Sequence, residues 1–244
     1  MNRCYPCLAT PQPPVVAIGD VHGCATLLRE AVWPHLGSGA ELIFLGDLID
    51  RSPESDGDRQ VIELVRELQV NPEAYGLAGV TVLRGNHEQM LLDALAEDVP
   101  GDATELWEWN GGDLELLPFL RQHHSWFASL PYSAIRGRYF FVHAGVRPGI
   151  PLDEQEEEDL IWIRQPFLRH HHGLPYIVVH GHTITRDHQI DRREHRINLD
   201  TGAFRSGALS SLQLDPTDVG DQAGFSGRGS ELSRVCCTPS IVKV

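Results

Sequence analysis

The chain has 244 residues, 41% of them hydrophobic and 22% charged, which are the proportions of a soluble globular protein within the size of one large α/β domain. Thirty-four acidic against 20 basic residues give a formal net charge of −14, which speaks against a nucleic-acid backbone as partner. No apolar run approaches the roughly 20 residues that span a bilayer, and the N-terminal MNRCYPCLATPQPP has no apolar segment long enough for a secretory signal. No membrane partner is therefore expected, and the cytoplasm is the expected compartment.

Residues 1–13 contain prolines and no periodicity, and read as a tail. Val15–Ile18 reads as a short buried strand and Ala25–Val32 as a helix ending near Trp33-Pro34. Leu42–Leu45 is the second strand and Ser52–Gly57 a loop. Val61, Leu64, Val65 and Leu68 then recur at i, i+3, i+4 and i+7, the core-facing stripe of a helix, and Asn71-Pro72 stops it. Val80–Leu83 is the third strand, and Met90–Ala96 reads as the helix after it. Residues 99–112 read as a loop with a short helix, and Leu114–Leu130 as a helix interrupted near Pro118. Tyr139–Val142, Tyr176–Val179, Arg196–Leu199 and Ala208–Leu214 are further strands, with Thr201-Gly202 turning between the last two. From Pro216 onward Gly, Ser and Asp dominate, so 216–244 reads as a flexible tail. With no solenoid-period repeat and no linker, residues 14–215 are expected to form one α/β domain.

Five apolar runs end in polar clusters carrying glycine: VVAIGDVHG (15–23), LIFLGDLIDR (42–51), VTVLRGNHE (80–88), YFFVHAG (139–145) and YIVVHGHT (176–183). A lone His at a strand end is ordinarily structural, and a lone Asp after Gly ordinarily caps a turn. All five clusters together point to one site, because ligands of open α/β sheets gather beyond the carboxyl ends of strands. Asp20, His22, Asp47, Asn86, His143 and His182 offer carboxylates, imidazoles and an amide but no thiolate. That donor set suits Mn²⁺, Fe or Zn²⁺. It is too large for one open catalytic ion and suits two, with Asp47 able to bridge them.

Gly-Asp-x-His-Gly (19–23), Gly-Asp-x-x-Asp-Arg (46–51), Gly-Asn-His-Glu (85–88), His-Ala-Gly (143–145) and Gly-His-Thr (181–183) resemble the signature of the metal-dependent phosphoprotein phosphatases, within the calcineurin-like metallophosphoesterases. Arg84-Gly-Asn-His-Glu-Gln-Met, Trp109-Asn-Gly-Gly, Trp162-Ile-Arg164 and Asp200-Thr-Gly-Ala are similar to the bacterial and bacteriophage lambda-type serine/threonine branch, and the likeness runs over about 15–214. The resemblance implies two packed mixed β-sheets flanked by helices. It implies two divalent metal ions, Mn²⁺ foremost with Fe or Zn²⁺ as alternatives, one held by Asp20, His22 and Asp47 and the other by Asp47, Asn86, His143 and His182. It further implies direct attack on phosphorus by a hydroxide shared between the ions. Arg51 and Arg164 are the expected bidentate phosphate contacts and Arg84 a third. His87 is the expected proton donor to the leaving group, oriented by Asp50. His180 has no ligand role in the pattern and is expected to be structural.

The expected substrate is a phosphomonoester, phosphoserine or phosphothreonine in a protein, or a small phosphoester. The alternative is a symmetrical bis(5'-nucleosyl)-tetraphosphatase on the same scaffold, and Glu88 and Thr183 favour the former, because the other group usually carries Asp and Trp there. The acidic stretch Asp153–Asp159 reads as a solvated helix start that would repel acidic substrates near Arg164. His170-His171-His172 reads as an adventitious metal binder. Five cysteines without a secretory signal read as reduced thiols; Cys4-x-x-Cys7 with Cys236-Cys237 supplies the alternative of a zinc site.

Overall fold

Val15, Val16, Ala17 and Ile18 are all buried, yet a strand turns alternate side chains to opposite faces. β1 (Val15–Ile18) is therefore covered on both sides, and the chain is built outward from it. The computed structural model describes residues 12–96, 101–217 and 239–243. Its further strands are β2 (Glu41–Phe44), β3 (Gly79–Val82), β4 (Ser133–Arg136), β5 (Tyr139–Val142), β6 (Ile177–His180), β7 (Asp191–Arg192), β8 (Arg196–Asn198), β9 (Ala208–Leu214) and β10 (Pro239–Lys243). The helices are α1 (Ala25–Val32), α2 (Gly57–Val70), α3 (Asn86–Leu95), α4 (Ala103–Trp109), α5 (Leu117–Gln122), α6 (His124–Ser129), α7 (Glu157–Trp162) and α8 (Ala203–Ser206).

Two mixed five-stranded sheets result, in the orders β10-β9-β1-β2-β3 and β4-β5-β6-β8-β7. β1, β2 and β3 are parallel to one another, and so are β5, β6 and β8. The period-2 alternation sorts side chains into layers. Val16, Ile18, Leu42 and Phe44 pack against Leu28, Val61, Val65 and Leu91 of the helices. Val15, Ala17 and Ile43 face the other way and meet Phe141, Val179 and Ile197 between the sheets. Phe140, Val142 and Val178 form the outer face of the second sheet, under Leu160 of α7 and Phe167. Arg136 of β4 also grips Glu41 of β2 through two 2.7 Å hydrogen bonds, tying one sheet to the other.

The expected α/β class and two-sheet architecture are those observed. Four local expectations are corrected or extended. The 3-10 turn Leu114–Leu116 gives way to α5 next to Pro118, which sits in the first helical turn where a missing N–H costs nothing, and a further break not expected from the sequence falls at His123, between α5 and α6. The short helix α8 takes the place of a simple turn after Thr201-Gly202. The helix expected from Met90 starts earlier, so that Asn86, His87 and Glu88 form the first turn of α3 with Gly85 as its N-cap. The stretch expected as a C-terminal tail contains β10, which pairs antiparallel with β9 and takes up the open edge of the first sheet. Residues 1–11 and 218–238, with Cys4, Cys7, Cys236 and Cys237, lie outside the described residues.

Phe141 is wholly buried between the sheets, so Phe141→Ala is expected to cost about 3–5 kcal/mol. Its urea midpoint should fall accordingly, and an unchanged midpoint would contradict this layering.

Candidate metal centre

The three parallel strands of each sheet end at the same site. The turns after them are tightly wound: His22, Asp47, Asp50, Arg51 and His182 all have φ between 47° and 69°. They are five of the seven non-glycine residues with positive φ among those described. Backbone of this kind costs of order 1–3 kcal/mol per residue and persists only where its surroundings hold it.

Asp47 and Glu88 do the holding. The Asp47 carbonyl accepts from the N–H groups of Val21 and His22, both at 3.0 Å. The buried Glu88 carboxylate accepts from the N–H groups of Asp47 at 2.9 Å, Leu48 at 2.7 Å and Gly85 at 2.8 Å. The N–H of His87 donates to Asp47 Oδ1 at 3.0 Å. The loops after β1, β2 and β3 are thereby one network. Gly85 has to be glycine here, since a Cβ would sit 2.2 Å from Asp47 Oδ1.

Two groups of side chains bring ligand atoms close enough to hold an ion, His22 with Asp47 and His87, and Asp47 with His143 and His182. Asp47 belongs to both, which is the geometry of a bridging carboxylate. His22 Nδ1 donates to the Ile49 carbonyl and His143 Nδ1 to the Leu45 carbonyl, each at 2.9 Å. These contacts turn both Nε2 atoms into the centre, the usual second role of a ligating imidazole. His143 Nε2 lies 3.0 Å from Asn86 Oδ1 and 3.4 Å from Asp47 Oδ1; two donors about 2.1 Å from one ion and at right angles are about 3 Å apart. His182 Nε2 is buried with no hydrogen-bond partner, so it is free to meet a ligand. The residues present therefore fit a two-ion centre.

Asp20 stands beside this centre, accepting from the His182 N–H at 3.0 Å. It is in neither group of three, one of which has His87 beside His22 and Asp47. His87 is set apart by its other nitrogen, which makes a 2.6 Å hydrogen bond to Asp50 Oδ2. Its Nε2 is buried, without a partner, and 3.9 Å from Asp47 Oδ2. Arg51 donates through Nε to the Asn110 carbonyl at 3.1 Å and reaches His22 Nε2 with Nη1 at 3.4 Å. Arg164 Nη2 is 3.4 Å from the His182 carbonyl. Arg84, expected as a third phosphate contact, is engaged elsewhere: it donates to Gln89 and Tyr132 from Nη1 and to the Ala128 carbonyl from Nη2.

The calcineurin-like phosphoesterase family model matches residues 13–202. The chain belongs to this family. It is 30% identical over 219 residues to serine/threonine-protein phosphatase 1 of Salmonella typhimurium, covering 82% of this chain and 91% of that one. It is 28% identical over 229 residues to the asymmetrical bis(5'-nucleosyl)-tetraphosphatase PrpE of Anoxybacillus flavithermus, covering 80% and 88%. A serine/threonine phosphatase structure from Saccharomyces cerevisiae superposes with a TM-score of 0.62 at 16% identity, over 96% of this chain and 81% of that one, and so shares the fold.

In this phosphoesterase the site's charges are those of a centre built for cations. Burial, with the neighbouring His87 charge, lowers His22 to about 3, and burial with His143 lowers His182 to about 2. Both imidazoles therefore present lone pairs at neutral pH. Burial pulls His143 down as well, but the Asp47 carboxylate overrides it and pushes His143 up to about 10. Burial and the Asp200 carboxylate raise Asp20 well above the usual carboxylate range. Burial and the Asp47 charge lift Glu88 to about 7 against its N–H donors.

Three residues of the phosphoesterase site were not singled out as site residues in the sequence. Glu88 had a signal, since a Glu at the third helical position after Gly85 is the second half of a capping box. Asp200 follows β8, and its Oδ1 accepts from the Gly202 N–H at 2.9 Å; its signal was another apolar strand ending in Asp. Trp107 donates its indole N–H to both Asp50 oxygens at 3.0 Å, from α4 with no local mark of that role. His180, expected to be structural, is buried with Nδ1 3.0 Å from the Gly181 carbonyl. Within the His170-His171-His172 tract, His172 spends Nε2 on the His195 carbonyl and Nδ1 on the Leu174 N–H.

The metal-free phosphoesterase is expected to lose stability as pH rises from neutral to about 10. His143 titrates at about 10 in the folded chain against an ordinary histidine value of 6.5, so between those values the native state holds a proton that the unfolded chain has released. Its contribution is full below 6.5 and is lost as pH passes 10. The raised carboxyl of Asp20 acts in the same direction. A metal ion held by His143 would displace that proton, so the metal-loaded protein should show a shallower slope. Melting temperatures with chelator and with Mn²⁺ across this range measure both; a pH-independent melting temperature in chelator would contradict the assignment.

Proposed function

We propose that this phosphoesterase hydrolyses phosphoserine and phosphothreonine in proteins. The observation that carries the reading is the buried His87–Asp50 pair with its unpartnered Nε2 facing Asp47. A serine or threonine alkoxide is strongly basic and leaves only with a proton. A phosphate group leaving from an anhydride is stable without one. A site that invests a wholly buried imidazole and carboxylate in proton delivery is matched to an ester. The phosphatase 1 and PrpE relatives divide between these chemistries, and the phosphoprotein relative has the higher identity of the two, 30% against 28%.

Two divalent ions held by Asp20, His22, Asp47, Asn86, His143 and His182 would supply a nucleophile near neutral pH and neutralise charge on the phosphoryl group. The chain's own residues do the rest. Arg51 and Arg164 present planar guanidinium forks for the phosphoryl oxygens. The Asn110 carbonyl on Arg51 Nε leaves that residue's terminal nitrogens to point at the site. Burial lowers His87 to about 4 and raises Asp50. Neutral acid with neutral imidazole and carboxylate with imidazolium hold the same two protons, and in both forms Nε2 carries one. As the P–O bond breaks, its electron pair stays on the departing oxygen, which takes that Nε2 proton. A hydroxyl from water ends on phosphorus, and the second water proton returns to solvent. Arg84, through its terminal nitrogens, links Gln89 of α3 to Tyr132 and the Ala128 carbonyl.

Acidic residues near Arg164 support the same substrate class. Beside Arg164 a cleft is lined by Arg147, Glu156, Glu158 and Trp162. Arg147 is already paired with Asp159 by two 2.6 Å hydrogen bonds, so Arg164 shares the cleft with the carboxylates of Glu156 and Glu158, which work against a tetraphosphate. The second reading, a dinucleoside tetraphosphatase, rests on the likeness to the PrpE enzyme.

Protein reconstituted with Mn²⁺ should release phosphate faster from a phosphoserine protein than it cleaves diadenosine tetraphosphate. The reverse preference would overturn the substrate class, and the products would then separate a symmetrical cut, giving ADP alone, from an asymmetrical one, giving ATP and AMP. His87→Asn should lose about 10²- to 10⁴-fold in turnover on phosphoserine while keeping its metal by elemental analysis. Asp47→Asn, which removes a ligand from both groups, should lose metal and activity together; retained metal would refute the bridging role.

A further inference from the structure

Trp107 is a fully buried tryptophan, and it donates its one polar hydrogen to the catalytic pair. Its indole N–H is 3.0 Å from each oxygen of Asp50, whose Oδ2 is 2.6 Å from His87 Nδ1. An indole N–H can only donate. It therefore holds the Asp50 carboxyl in the plane from which that group accepts from His87, and it favours the charged carboxylate.

The turn that follows α4 serves the other side of the reaction. The Gly111 carbonyl accepts from the Arg51 N–H at 3.1 Å, and the Asn110 carbonyl accepts from Arg51 Nε at the same distance. Asp50 and Arg51 are both in the left-handed backbone region, with φ of 69° and 62°. They need outside partners to stay there, and Trp107, Asn110 and Gly111 are among those partners. The glycines are fitted to the task. A Cβ on Gly112 would lie 2.3 Å from the indole ring, and one on Gly111, whose φ is 105°, would lie 2.6 Å from Arg51 Cγ. Gly112 also closes the turn by donating its N–H to the Trp107 carbonyl at 3.0 Å.

We propose that Trp107–Gly112 is a positioning segment that sets the proton donor and the phosphate arginine against one another, with Trp107 acting through Asp50 on His87. The proposal rests on the reading of His87 as the proton donor given above. Trp107 touches no substrate and is not itself catalytic. Its effect should appear only where the leaving group needs a proton.

The test is the dependence of turnover on the leaving group. Wild type, Trp107→Phe, Gly112→Ala, His87→Asn and the double variant Trp107→Phe/His87→Asn are loaded with Mn²⁺ and assayed on p-nitrophenyl phosphate and on a phosphoserine peptide. Trp107→Phe should lose about 10- to 10²-fold on phosphoserine, a part of what general-acid catalysis supplies, and only a few-fold on the nitrophenyl ester. Adding it to His87→Asn should cost nothing further on phosphoserine. Gly112→Ala keeps the indole but crowds it, and should give the same pattern, so it decides the question should Trp107→Phe not fold. Equal losses on both substrates, or losses that multiply in the double variant, would overturn the positioning role. A His87→Asn variant that shows no leaving-group dependence would instead overturn the reading of His87, an outcome distinguishable from the first.

Discussion

Asp47 is the residue on which the rest of the site depends, because it is used three ways at once. Its carbonyl binds the loop after β1, its amide is bound by Glu88, and its carboxylate lies within reach of His22, His87 and His143. A left-handed φ of 50° makes this possible, by turning the carbonyl toward one loop and the side chain toward the others. Remove the Glu88 contacts and the strained turn has no reason to persist; remove the turn and the two ligand groups no longer share a member. The fold supplies the ends of two sheets, and this one network joins them into a site.

Concentrating charge there works against stability when no cation is present. Asp20, Asp47, Asp50, Glu88 and Asp200 are all buried within one neighbourhood, and ionised carboxylates without counter-charge are costly to desolvate. The metal-free chain answers by holding protons, on His143 above all. Divalent ions held there would replace those protons with fixed charge, and metal binding and folding would then draw on the same free energy. Selection for catalysis and the tolerance of five left-handed residues are two sides of one arrangement, since backbone strain of this kind is kept where function requires it.

Much of this is legible in the sequence. The motifs at residues 19–23, 46–51 and 85–88 mark strand ends because apolar runs halt there at glycine, and the parallel pairing of β1, β2 and β3 then brings their polar residues together. Asp50 beside His87 is legible from the same motifs and is seen as a 2.6 Å contact. What fails to show are partners set by tertiary packing alone. Nothing near Trp107 in the sequence points to Asp50. Nor does the Arg84 position show that Tyr132, Gln89 and the Ala128 carbonyl will occupy its guanidinium. β10 is hidden because a strand of five residues in a Gly- and Ser-rich setting has no periodicity of its own, and its hydrogen bonds come from the edge of β9.

The pairing of β1 with β9 has a consequence for how the molecule is made. Val15 is hydrogen-bonded in register with Glu41 on one side and with Leu214 on the other. During synthesis the first strand thus finds one neighbour early and waits for the second until nearly the whole described chain has left the ribosome. Until then its free edge is open to pairing with other chains, and pairings this distant in sequence form slowly. The early half of the site, from Asp20 to His87, emerges with its carboxylates and imidazoles in place but without His143 and His182 to complete the second group. The order of synthesis thus leaves one edge of β1 uncovered until β9 arrives, and the second ligand group incomplete until His182 has been made.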